Sequence, residues 1–191
     1  IVETEEWQLQ PVSADSPDHE LLATALSAYH LEDAAALAAA EQELQRRVEA
    51  GEGGYTAIMA NQAGALLHAS LDHPDVAVDY FDRAVEIIGP MALPRGAAMP
   101  IKPLFEMYGE VLVDLDRHAD AIEQFAISLE RMPNRPRSLL GMAWAQAATG
   151  HSQEAAAYYQ QLLDIWEGDS GFQGVVEARA YLGQNNRQSS L

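Results

Sequence analysis

Cysteine is absent from this 191-residue chain, so it has neither a disulfide framework nor a thiolate metal site. Lysine is almost absent too: Lys102 stands alone, and every other basic residue is arginine. Positive charge is scarce as a whole, 11 basic residues facing 29 acidic ones for a formal net charge of -18. A field of that sign repels a phosphate backbone and an anionic membrane surface, which argues against nucleic acid and lipid as partners. It suits high solubility, a cationic partner or a saline habitat. No run reaches 18 consecutive apolar residues, so no segment reads as one that inserts into a membrane. The β-branched and aromatic runs that mark strands are sparse.

Catalytic motifs are missing as well. There is no phosphate loop, no G-x-S-x-G elbow, no H-E-x-x-H and no EF-hand run. Four of the six histidines, His30, His73, His118 and His151, fall in or beside expected turns between paired helices. Neighbouring hairpins stack about 10 Å apart, too far for metal bonds of about 2 Å to gather them. His19 and His68 fall on separate helices. The chain is therefore read as a non-enzyme with no cofactor, no catalytic residue and no metal ligand.

What is present favours helix. Hydrophobic residues make up 48% of the chain, enough for a sizeable core, and Ala, Leu, Glu and Gln dominate. The segment "RHADAIEQFAISLERMPN", residues 117–134, is echoed by "HSQEAAAYYQQLLDIWEG" at an interval of 34 residues, Ala121 matching Ala155. An upstream copy, "HPDVAVDYFDRAVEII", places Ala77 44 residues before Ala121, which implies an inserted loop. In each, an early alanine is followed four positions later by Phe81, Phe125 or Tyr159. Each is preceded by another amphipathic stretch with a small central residue: Ala65, Gly109 or Ala143. Small residues let antiparallel helices approach closely, and the large residue then plugs the seam to the next hairpin.

This pattern resembles the tetratricopeptide repeat, whose 34-residue helix-turn-helix units stack side by side. The resemblance extends loosely to a broad group of bacterial proteins carrying such arrays. It implies an all-α fold: a right-handed α-solenoid of about four helical hairpins plus a C-terminal capping helix, the alternative being a bundle of helical hairpins without a superhelix. The expected units are 16–50, 55–88, 101–133 and 135–168, with a cap helix over 171–184 inside a single domain 16–184. Residues 1–15 form an N-terminal extension and 185–191 a tail with no reason to be ordered. Ser16 is expected to N-cap the first helix, with Pro17 at its first position. The first hairpin lacks an aromatic plug, Ala39 standing near that place. Phe172, Val175, Val176 and Tyr181 are expected to cover the last hairpin. Residues 89–100, with Met91, Leu93 and Met99, either fold back over the array or offer apolar groups to a partner.

In that family the inner positions of each first helix face a concave groove. Here they carry Gln62 and Leu66, then Glu106, Glu110 and Asp114, then Leu140 and Trp144 with Arg137 at the lip. The resemblance thus implies a protein or peptide partner, cationic and apolar, held against an acidic wall and an aromatic patch. Two other readings stay open: the three carboxylates form a solvated stripe with Trp144 packed on a neighbour, or Lys102 pairs with Glu106. Glu106 and Glu110 replace the basic and amide residues with which some such domains hold a C-terminal carboxylate, so that clamp is not expected. The alternative role is a fixed subunit of a larger assembly, docking by the outer face or by loop 89–100. The chain opens "IVETEEW" without Met, as a processed protein or a piece of a longer one would, and an exported, bacterial setting is favoured slightly over a cytoplasmic one.

Overall fold

The computed structural model describes residues 6–91, 101–166 and 173–188, with side chains through residue 184. Among these, every regular element is an α-helix: α1 (Asp18–His30), α2 (Ala34–Glu49), α3 (Tyr55–Ser70), α4 (Pro74–Ile88), α5 (Leu104–Asp114), α6 (His118–Arg131), α7 (Pro136–Ala148), α8 (Ser152–Ile165) and α9 (Gln173–Gln188). Helices pack on their neighbours in chain order, as an all-α helical repeat does. The chain divides into two compact units, residues 1–107 and 108–191, with the division inside α5.

One backbone device makes the turns within the hairpins. At the end of α1 the amide of Asp33 donates to the carbonyl of Ala28 at 2.9 Å. His73 donates to His68 at 2.9 Å after α3, Arg117 to Leu112 at 2.8 Å after α5, and His151 to Gln146 at 2.9 Å after α7. These five-residue closures are Schellman caps, which need a left-handed residue just past the helix. That residue is Glu32, Asp72, Asp116 and Gly150, with φ of 56, 57, 58 and 84°. Three acidic side chains thus sit where glycine is the usual choice. Asp33 then caps α2, its Oδ1 accepting from the amide of Ala36 at 2.9 Å.

The first unit holds α1 to α4 and the start of α5. Its core comprises Leu21, Leu22, Leu37, Leu44, Ile58, Leu66 and Phe81, none more than 1% exposed. Each such side chain contributes about 1.5–3 kcal/mol through burial. A β-carbon on Gly64 of α3 would lie 2.6 Å from the Tyr80 ring of α4, so glycine sets how closely these helices meet. The N-terminal segment is pinned by Arg47. Its guanidinium donates to Asp18 at 2.5 Å, to the Ser16 carbonyl at 2.7 Å and to the Ala14 carbonyl at 3.1 Å. The expected Ser16 cap is not made. The helix begins at Asp18 after Pro17, and the Ser16 hydroxyl instead meets the Ser13 amide and the Pro11 carbonyl within its own loop.

The second unit holds the rest of α5 and α6 to α9. Phe125 of α6 is its keystone: 0% exposed, the ring lies against Gly109 of α5 and Gly141 of α7, where any β-carbon would collide with it. The Ser128 and Ser138 hydroxyls meet at 2.8 Å in the same seam. Farther on, Leu139, Leu140, Ala143, Tyr159, Leu162 and Ala178 form a continuous core joining α7, α8 and α9. Val175 is buried and the Tyr181 ring lies 4.7 Å from that of Tyr159, as expected of a covering helix, but Val176 is 52% exposed. Phe172 lies outside the described residues. The covering helix runs to Gln188, four residues beyond its expected end at 184, because nothing in "NNRQ" breaks a helix.

Candidate interaction surface

The residues expected to line a groove divide between the two units. In the first, Gln62 and Leu66 are fully buried on α3, and so is Glu106 at the start of α5. The cause is the stretch leading into α5. The Gln62 amide donates to the Lys102 carbonyl at 3.0 Å and approaches the Met107 sulfur at 3.5 Å, so this stretch lies over the inner face of α3. The Glu106 carboxylate meets the Lys102 ammonium at 3.0 Å, both side chains being almost wholly buried. A buried acid left alone costs several kcal/mol, so the sole lysine neutralises the charge that the groove reading assigned to a partner. These three residues are corrected from surface to interior.

In the second unit Leu140 is 3% exposed and Arg137 is 8% exposed, the latter 3.9 Å from Glu110. Leu140 belongs to the core beneath α9, so it too is corrected from groove to interior. Trp144 is half-buried, and its indole donates to Glu177 of α9 at 2.5 Å. Tyr159 donates to the same carboxylate oxygen at 2.5 Å. Burial first, and then this bond to Glu177, push the Tyr159 hydroxyl well above the ordinary phenol range. Trp144 therefore serves α9. Of the expected acidic wall, Glu110 stays partly exposed and Asp114 exposed.

Several structural residues carried too weak a signal to be singled out in sequence. Asp18, Glu43, Arg47 and Thr56 form one network: Thr56 donates to Asp18 at 2.6 Å, and Glu43 accepts from Arg46 at 2.7 Å and from Arg47 at 3.0 Å. The Arg46 guanidinium, then that of Arg47, hold the Glu43 carboxyl down at about 2. The adjacent pair Arg46-Arg47, the first basic residues in the chain, was the visible clue. On α3 and α4, the His68 and Tyr80 rings stack at 5.2 Å, with His73 5.8 Å from His68 and the Arg83 guanidinium 5.0 Å from the Tyr80 ring. Burial, then repulsion from His73, lower the His68 pKa. For the inserted loop, Met91 turns back toward Gly54, where a β-carbon would lie 3.7 Å from its methyl group; residues 92–100, with Leu93 and Met99, lie outside the described residues.

Among the described residues no helix is long and apolar enough to cross a membrane. No three His, Asp or Glu side chains among them converge as a metal site would require. A scan against protein-family models finds no match, and a search of curated proteins finds none either.

Proposed function

We propose that this chain is a non-catalytic interaction scaffold of the tetratricopeptide type, presenting side chains from stacked helical hairpins to a cationic and apolar protein segment. The observation that carries the reading is the seam at Phe125, seated between Gly109 and Gly141 of successive hairpins. Aromatic-on-glycine stacking of that kind is how repeat arrays build a rigid surface from units that cannot bury their own apolar faces. The strong net negative charge supports a cationic partner through steering and complementarity.

The burial of Gln62, Leu66, Glu106 and Leu140 favours a second reading, a fixed subunit that docks by its outer surface. Capture from native extract with the full chain as bait separates the readings. A transient scaffold releases its partner as salt rises from about 0.05 M to about 0.5 M, because exposed charge pairs are screened. A fixed subunit keeps it. Absence of any stoichiometric partner overturns both.

A further inference from the structure

The first unit is polarised end to end. Its hairpin turns, 31–33 between α1 and α2 and 71–73 between α3 and α4, lie at one end, because α1 and α3 both finish there. Tyr29 and His30 at the end of α1, Glu32 of the first turn and Ser70 at the end of α3 line one cavity of about 480 Å³. Two large apolar side chains stand out beside it, Leu31 at 48% and Leu71 at 49% exposed. Trp7 stacks on His30 at 4.1 Å, adding an aromatic wall from the N-terminal segment.

Charge at this end has one sign. Glu32, Asp72 and Asp75 are exposed, and no Lys or Arg occurs before residue 46 or between residues 48 and 82. The nearest arginine on these helices, Arg83 of α4, lies about two turns along from Asp75 with its guanidinium over the Tyr80 ring. Arg46 and Arg47 are near the far end of α2, roughly 20 Å from Asp33 at a rise of about 1.5 Å per residue. There they are engaged by Glu43 and Asp18. Helix dipoles do not offset the acids, since the C-termini of α1 and α3 and the N-termini of α2 and α4 meet together and their partial charges cancel. Two exposed leucines near a cavity, with carboxylates around them, offer both an apolar contact and acidic charge, the complement of a segment that is cationic and apolar.

We infer that this turn end of the first unit docks a partner segment in which Arg or Lys stands beside a large apolar residue. The apolar side chain enters the cavity beside Tyr29 and Leu31, and the cation meets Glu32 and Asp72. This rests on the scaffold reading and moves its contact surface from the inner helix faces to the hairpin turns.

The test is an anisotropy titration of the full chain with a short labelled peptide in which Arg and Leu alternate, against an isomer with Glu in place of Arg. The Arg peptide binds and the Glu peptide does not. Glu32→Gln/Asp72→Asn and Leu31→Ser/Leu71→Ser each weaken binding by about tenfold or more, as expected for paired charges and for a central apolar anchor. Glu123→Gln/Glu130→Gln, the same charge change on exposed α6 positions, leaves it unchanged. Glu32→Lys/Asp72→Lys reverses the preference to the Glu peptide, and unchanged helical circular dichroism shows that each variant is folded. Equal loss in the α6 control, or no preference between peptides, overturns the inference. If a partner from native extract is retained by both turn-end variants, the scaffold reading stands and this location for it falls.

Discussion

Glycine shows how one residue type takes opposite signs in this chain. Inside an exposed helix, glycine costs about 0.5–1 kcal/mol relative to alanine. Gly183 of α9 has nothing within 4 Å of a β-carbon, so Gly183→Ala is expected to raise stability by about that amount. Gly141 has Phe125 in that space, and Gly141→Ala is expected to lower stability by about 1–3 kcal/mol through overpacking. Urea midpoints of the two variants decide the matter: movement in the same direction would show that Phe125 is not held as described. His68 offers a second test. Its pKa is lowered in the fold, so below its ordinary 6.5 the unfolded chain takes up the proton first, and stability falls as pH drops. Between about pH 7.5 and about pH 5.5 the urea midpoint should fall, and His68→Asn should flatten part of that slope.

Among the elements, α9 is held by an apolar core and by one polar side chain that meets both α7 and α8. Glu177 accepts from both Trp144 and Tyr159, so truncating it leaves two donors without their acceptor beside a core of Leu140, Leu162 and Ala178. Glu177→Ala is expected to cost about 2–3 kcal/mol and to loosen α9. With Trp7 and Trp166 replaced by Phe, Trp144 emission should move to longer wavelength as the indole meets water. Unchanged emission would mean that α9 stays in place by packing alone. The helices themselves were legible from periodicity, because alanine at the seam and an aromatic four residues later recur in three hairpins. The groove was not. The pairing of Lys102 with Glu106, four residues apart, was an open reading of the sequence, but the laying of that stretch over Gln62, and the burial of Leu140 by α9, depend on elements far along the chain.

At the scale of the whole molecule the dominant quantity is charge. A net charge of -18 repels itself more in the compact state than in the unfolded chain. Raising ionic strength from about 0.01 M to about 0.15 M shortens the screening length from about 30 Å to about 8 Å, and the thermal midpoint should rise. A midpoint that falls over this range would show that paired charges, such as Asp18 with Arg47, outweigh the repulsion.

Composition and spacing by themselves determined that the chain is helical and that its helices come in hairpins, since these follow from local propensity and period. The three acidic turn residues were visible too, as a leucine followed by Glu or Asp after α1, α3 and α5, once the closure that requires them was known. Tertiary structure alone decided which polar groups meet water. Gln62 and Glu106 went inside and Leu31 and Leu71 outside, because burial depends on what else packs against a helix, and no window along one helix contains that.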